Sequence, residues 1–308
     1  MRVTFKYVGS GDSIIIEWED GIGFIDCKKL HGENPSLNYL KATEENNIRF
    51  VFMSHPHQDH YSGLYEFLDY CDSKDITIDL FAFTTDVSKN YLETVLMPYD
   101  AKKSLQKILL KAKSLEDKGI IKTRGLVNNL SQNLNLNDEI FLRILSPSQQ
   151  EKDEFYKTLF NKDLDFKSAP NPNLLSLVTS IESNDWQILL TSDVEIQSLR
   201  RIGIKVLKHF DKEVYLGQIP HHGSLKNHYR EFWKKRKFKN DTPVAISVGP
   251  NKNGHPSGKV ISDLEDLGYQ VDLTDERQRE SNESASQLGL ISNKVPESNE
   301  GSDLVYDI

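Results

Sequence analysis

Apolar and polar residues alternate near the start of the chain, first at Val3, Phe5 and Tyr7 and again at Ile14 and Ile16. A period of two predicts a pair of half-buried strands, and Gly9-Ser10-Gly11-Asp12 between them is a hairpin signal. Runs at 22–26 and 49–53 predict two more strands, the first ending on an acid and the second stopping at Ser54-His55-Pro56-His57. Between them, 35–47 has helical character with Pro35 suited to its first turn. Leu64, Phe67 and Leu68 predict a helix over 61–70, followed by a strand at 76–83 and a helix at 89–97 that Pro98 stops. Leu105, Ile108, Leu109, Ala112 and Leu115 line one face of a helix over 101–118, closed by Gly119.

The second half is richer in strands. A strand at 139–145 precedes Ser146-Pro147-Ser148 and a polar helix over 149–160. The runs 174–181 and 186–191 predict a hairpin, 214–219 and 244–248 two more strands, 261–267 a helix and 269–273 a strand. Strands and helices in both halves predict an α/β fold in which two sheets pack face to face with helices outside. Residues 276–302 are rich in Ser, Asn and Glu and predict a flexible loop, after which Leu304-Val305-Tyr306 can add a last strand. The expected organisation is a domain over 1–274, a polar loop over 275–302 and a final strand of the same domain within 303–308.

Composition narrows the function classes. The 308 residues are 37% hydrophobic and 27% charged, with no apolar run long enough to span a bilayer and no signal-peptide core after Met1, so a cytoplasmic protein without a membrane association is expected. Cys27 and Cys71 are too few for a disulfide framework and lack metal-site spacing, and Cys27 fits a small buried residue. A net charge of −8 argues against wholesale grip on a polyanion, but charge is segregated. Residues 226–239 hold Lys226, Arg230, Lys234, Lys235, Arg236, Lys237 and Lys239 against the single acid Glu231.

The sharpest chemical signal is His55-Pro56-His57-Gln58-Asp59-His60. In an extended loop, residues two apart point the same way, so His55 and His57 can share one metal. Asp59 and His60, where the chain turns into a helix, can face a second metal about 3.5–4 Å away. Imidazoles mixed with carboxylates suit Zn²⁺, Mn²⁺ or Fe better than Ca²⁺ or Mg²⁺.

That motif resembles the metallo-β-lactamase superfamily. Other segments resemble the hydrolase domain of the competence protein ComEC: Val8-Gly9-Ser10-Gly11-Asp12-Ser13, Phe24-Ile25-Asp26, Leu145-Ser146-Pro147, Asn173 with Ser176-Leu177-Val178, Leu189-Leu190-Thr191-Ser192-Asp193, His221-His222-Gly223-Ser224, Ser247-Val248-Gly249 and Gly254-His255-Pro256. The likeness runs from about residue 3 to 273 and implies an αββα sandwich carrying two divalent ions, Zn²⁺ or Mn²⁺. By that resemblance the metal residues are His55, His57, Asp59, His60, Asp193, His221 and His222, with Asp193 bridging both ions. Taken alone, Asp193, which precedes a helix-like stretch, would better fit a turn or helix-cap aspartate. One of His221 and His222 should complete the second ion's set while the other touches substrate or a ligand; the sequence leaves open which.

Asp26 should orient the histidine loop through hydrogen bonds, Asp12 belongs to a turn near the site, and Asn173 to a strand edge beside it. Asp59 and His255 are the candidate catalytic residues; His255 could bond an anionic substrate oxygen, protonate a leaving group, or only shape a turn. Two features depart from the family pattern. Ser192 stands where a glycine is usual, and no histidine between 70 and 170 supplies the middle metal ligand, Asp86 being a weak candidate.

The implied reaction is hydrolysis, with phosphodiester cleavage of DNA or RNA as the leading substrate class. Lys226, Arg230, Lys234 and Lys235 are candidate nucleic-acid contacts, with Tyr229, Phe232 and Trp233 available for packing or stacking; an amphipathic helix with a solvated basic face explains the same residues. Two alternatives stay open: a small-ester hydrolase on the same site, and a non-catalytic or partner-activated subunit, for instance in a bacterial anti-phage defence complex, bound to the product of a neighbouring gene.

Overall fold

The structure is a computed structural model that describes residues 1–85, 99–128, 133–160, 170–207, 212–250, 254–279 and 301–308. The first half supplies β1 (Arg2–Phe5), β2 (Ile14–Trp18), β3 (Gly21–Ile25), β4 (Asn47–Ile48), β5 (Phe50–Met53), β6 (Thr77–Phe83) and β7 (Ile121–Gly125). Helices Pro35–Thr43, Leu64–Ser73 and Tyr99–Asp117 accompany them. The second half supplies β8 (Asn133–Asn135), β9 (Phe141–Ser146), β10 (Val178–Glu182), β11 (Trp186–Leu190), β12 (Glu213–Gln218), β13 (Thr242–Ile246) and β14 (Tyr269–Leu273). Helices Gln149–Leu159, Ile196–Arg201, Arg230–Lys234 and Gly258–Glu265 go with these, and β15 (Leu304–Asp307) returns to pair antiparallel with β1.

Each half makes one mixed sheet. The first runs β15-β1-β2-β3-β5-β6-β4 with β7 also on β6; the second runs β14-β13-β12-β11-β10-β9-β8. Three apolar clusters define the layers. One lies between the first sheet and its helices (Phe24, Val51, Phe67, Leu105), one between the sheets (Ile14, Phe50, Phe52, Ile188, Leu190) and one between the second sheet and its helices (Leu189, Leu199, Trp233, Leu264). Successive residues of a strand therefore serve different layers. In β5, Val51 and Met53 face the helices while Phe50 and Phe52 face the other sheet. Burial on both faces explains the unbroken apolar runs, and it makes Ile15 as buried as Ile14 and Ile16 where half-burial was expected. This four-layer arrangement is the expected αββα sandwich.

Several expected boundaries move. The helix from Pro35 ends at Thr43 because Glu44 takes a left-handed conformation (φ 56°), and Asn47–Ile48 becomes a strand on β6. Pairing begins at Val178 rather than residue 174, since Pro172–Leu175 forms a 3₁₀ turn. The strands Ile121–Gly125 and Asn133–Asn135 and the helix Ile196–Arg201 had no clear periodicity. The expected helix over 89–97, Asp86 and most of the expected flexible loop (280–300) lie outside the described residues. Among the described residues, no helix is long and apolar enough to cross a membrane. Both cysteines are free and buried, and burial pushes each thiol up to about 12.

Candidate metal centre

Parallel pairing decides where the polar residues gather. β3, β5 and β6 are mutually parallel, as are β11, β12, β13 and β14, so the residues that follow them emerge along one edge of the sandwich. In open α/β sheets that carboxyl edge is where ligands bind. Asp26 follows β3, Ser54 to His60 follow β5, Asp193 follows β11, and His221 with His222 follow β12. Asp12 comes from the β1–β2 hairpin.

Short hydrogen bonds fix the histidine loop from behind. Ser54 donates from its backbone N to Asp26 Oδ1 (2.7 Å) and from its hydroxyl to Asp26 Oδ2 (2.6 Å), and His60 Nδ1 lies 2.6 Å from that same Oδ2. Asp26 itself is held at φ 61° with its N–H on Phe52 O. His60 O accepts from Cys27 N, and Asp12 N donates to Asp59 O, tying three loops together. Asp26 thus holds the far nitrogen of His60, leaving Nε2 turned toward Asp193.

Across the gap, Asp193 is 2% exposed and meets imidazoles at both oxygens. Its Oδ1 lies 3.6 Å from His60 Nε2 and 3.6 Å from His222 Nε2. Its Oδ2 lies 3.6 Å from His55 Nε2 and 3.6 Å from His221 Nε2. His57 Nδ1 is 3.0 Å from His55 Nε2, and Asp59 Oδ2 is 3.8 Å from His222 Nε2. Two ligands bonded at about 2.0–2.2 Å to one tetrahedral ion sit roughly 3.4 Å apart, so these separations suit shared ions. Two groups with metal-binding spacing result: His55, His57 and Asp193; and Asp59, His60 and His222, which Asp193 Oδ1 also faces. Asp12 comes within reach of His60 and Asp193 as well, but its Oδ2 accepts from Gln218 Nε2 at 2.9 Å.

The donors fit a cation for a further reason. His60 Nε2, His222 Nε2 and Asp193 Oδ1 are buried without any hydrogen-bond partner. Buried polar atoms are nearly always paired, and each orphan needs an explanation. Three orphans that converge on one point would all be satisfied by one cation placed among them. Charge agrees. Burial disfavours the charged form of His60, but Asp26 and Asp193 outweigh it and hold its pKa well above the ordinary value. Burial would likewise raise Asp193, yet His222 and His60 hold it well below the carboxylate range. Burial and the neighbouring His60 push His55 well down.

Several residues at the site carry no motif. Gln218 Oε1 accepts from the N–H groups of Thr191 and Ser192 (2.9 and 3.0 Å), shaping the turn before Asp193. Ser192 occupies the left-handed region at φ 46°, where glycine would be unstrained, and its hydroxyl reaches Ser54 Oγ (2.9 Å) across the two sheets. Lys28, one position past Cys27, lies beside Asp59 and Asp12; burial lowers its pKa while those carboxylates oppose the fall. Asn173 Nδ2 lies 3.2 Å from His221 Nδ1, placing that residue beside the cluster.

The outer residues divide. His255 has its ring 5.5 Å from that of His221, and burial, helped by His221 and His222, pushes its pKa down to about 4. A neutral imidazole suits hydrogen bonding better than proton donation. Lys226 is exposed and close enough to contribute to that shift. Lys234 and Lys235 are exposed, whereas Arg230 lies 3.5 Å from Asp263. Of the two roles open to the aromatics in this stretch, packing is the one taken by Phe232 (2% exposed) and Trp233 (0%), which belong to the core under the second sheet. Tyr229 packs against the same core, with Arg200 over its ring.

No protein-family model matches the sequence, and no curated protein matches it either. Solved structures do. Zn²⁺-bound PqqB from Methylobacterium extorquens aligns over 89% of this chain and 98% of its own, with 9% identity and a TM-score of 0.50. This is the metallo-β-lactamase fold. YhfI from Bacillus subtilis, a metallo-β-lactamase fold protein, aligns over 88% of this chain and 95% of its own at 10% identity and a TM-score of 0.49. Human tRNase Z, short form, aligns over 89% and 92% at 13% identity and a TM-score of 0.39. At these identities the likeness concerns the fold alone, and the more specific ComEC likeness rests on sequence motifs.

Proposed function

We propose that this chain is a metal-dependent hydrolase with a two-ion centre that cleaves phosphodiesters, with nucleic acid as the substrate class. The observation that carries the reading is a single buried carboxylate, Asp193, whose two oxygens each face imidazole Nε2 atoms at 3.6 Å. His55, His57 and Asp193 would hold one divalent ion; Asp59, His60, His222 and Asp193 would hold the other. When bound, such ions supply Lewis acidity toward water and substrate oxygens.

The chain's own residues provide the remainder. Asp26 and Ser54 keep His60 aimed inward, and Ser247 O, 2.9 Å from His222 Nδ1, accepts its N–H and leaves Nε2 free to bind. Lys28 on one side and Lys226 with His255 on the other present cationic and neutral donors to an anionic substrate at the mouth. The exposed Lys226 adds positive charge beside His255, favouring an anionic substrate, whereas Lys234 and Lys235 lead into Lys237, which pairs at the opposite end of β12.

The test is metal analysis paired with hydrolysis of a chromogenic phosphodiester, an oligonucleotide and a plasmid, for wild type and Asp193→Ala. Cutting by the wild type alone is the expected result. Equal cutting by both proteins would discard the mechanism. Turnover of a thioester or simple phosphoester with diesters untouched would replace the substrate class. A metal-loaded chain inert on all of them would favour the partner-activated subunit.

A further inference from the structure

Two consecutive histidines at one metal centre raise the question of what each does. We propose that they are divided between the two ions: His222 joins Asp59 and His60, while His221 joins His55 and His57 as the third imidazole of the other position. This rests on the two-ion reading above and adds a ligand to it.

Distance is the first support. His221 Nε2 lies 3.6 Å from Asp193 Oδ2, the same oxygen that His55 Nε2 approaches at 3.6 Å. His222 Nε2 lies 3.6 Å from the other oxygen, which His60 Nε2 also approaches at 3.6 Å. Each carboxylate oxygen thus has one imidazole from the β5 loop and one from the β12 loop.

Orientation is the second. Asn227 donates from Nδ2 to Val194 O at 3.1 Å, which turns its Oδ1 toward His221 Nδ1 at 3.0 Å, and Asn173 Nδ2 approaches the same nitrogen at 3.2 Å. Two amides thus hold the ring from its far side, with Nε2 turned toward Asp193. His222 is likewise held at Nδ1 by Ser247 O. A histidine meant only to touch substrate has no need of a ring fixed inward.

The backbone is the third. His221 (φ 50°, ψ 51°) and His222 (φ 55°, ψ 29°) both sit in the left-handed region. That conformation costs a non-glycine residue roughly 1–2 kcal/mol each, and two in a row are rare outside functional sites. It splays the rings 83° apart with centroids 5.8 Å from one another, aiming them at opposite oxygens of one carboxylate. A regular turn could not do this with adjacent residues.

Sequence closes the case. The chain has no histidine between His60 and His209, so no imidazole from that stretch can complete the His55–His57 position.

The strain also supplies a clean variant, because glycine is at ease where both histidines sit. His221→Gly and His222→Gly should fold, and thermal melts of the metal-free proteins should match or exceed wild type. Metal-free protein is titrated with Zn²⁺ by calorimetry, and the cadmium-loaded forms are compared by cadmium NMR. Wild type should take up two equivalents and show two resonances. His221→Gly should keep one and weaken the other; partners behind a ligand are worth about 10–100-fold, so losing the ligand itself should cost about 100-fold or more. His222→Gly should lose the opposite resonance. Two undiminished sites in His221→Gly would overturn the assignment and leave the two-ion reading intact, as would both variants losing the same resonance. A wild type that binds no metal would end both.

Discussion

The two walls of the metal centre are built differently. The β5 wall is one continuous segment, His55 to His60, braced by Asp26 from the adjacent strand. The β12 wall is assembled from separate places: Asp193 after β11, His221 and His222 after β12, Asn227 beyond them and Ser247 after β13. In the first, local spacing sets the ligand directions. In the second, adjacent residues point apart and distant ones converge, so only strand register and turn strain can place them. The lesson is that one centre can be half motif and half architecture, and the two halves should fail differently.

Asp193 belongs to neither wall alone, since both converge on it. Asp193→Ala should therefore have the largest effect. On the proposed two-ion reading, loss of a carboxylate that both ions would share, worth several kcal/mol of catalysis, predicts hydrolysis of phosphodiesters lower by about 1,000-fold or more, read by initial rates at saturating metal. A drop under tenfold would mean that the walls hold ions without it.

Strain separates the walls next. Ser192→Val puts a β-branched side chain at φ 46° and removes the hydroxyl bond to Ser54. The expected loss is about 2–4 kcal/mol by denaturant unfolding, whereas Ser192→Gly should stay near wild type as relief of strain offsets the lost bond. On the β5 wall, Asp26→Asn keeps the shape but removes the carboxylate behind His60. Zn²⁺ affinity should fall about 10–100-fold with the fold preserved, measured by competition with a chelator. If Asp26→Asn unfolds the chain instead, the first wall is as architectural as the second.

A smaller effect tests the buttress of the β12 wall. Glu151 accepts from Arg201 (2.9 Å at each oxygen), Ser198 Oγ (2.7 Å) and Ser148 N (2.7 Å), joining the helix after Asp193 to the helix Gln149–Leu159. Burial alone would raise the Glu151 carboxyl, but Arg201 and the serine bonds hold it below the ordinary value. A depressed folded-state pKa contributes stability above the unfolded value that is lost as pH falls through the folded one. Glu151→Gln should cost about 1–3 kcal/mol at neutral pH, and the gap from wild type should close on acidification below about 4.3. Smallest of all, Lys226→Ala should raise KM for an oligonucleotide several-fold, by under about 1 kcal/mol, with kcat unchanged.

Legibility in the sequence followed the same division. Residues two apart in the β5 loop do point to one side, and Asp26 sits where its strand ends, so spacing alone anticipated that wall. On the other side, Asp193 alone fitted a helix cap better and only the resemblance drew it to the centre, and nothing marked Gln218 or Asn227, whose roles depend on partners 27 and 33 residues away. Lys28 was missed for the same reason. Phe232 and Trp233 stayed open between packing and stacking because a short run of mixed basic and aromatic residues does not reveal which face meets a sheet; the helix layer over the second sheet buries them.

By itself, the sequence determined the αββα layering and the identity of the metal-binding residue types, because periodicity and close spacing are properties of neighbours along the chain. Tertiary structure alone decided which imidazole faces which oxygen, and which basic residues reach solvent. Those depend on parallel register between strands and on two left-handed residues whose strain is tolerable only when long-range contacts fix everything around them.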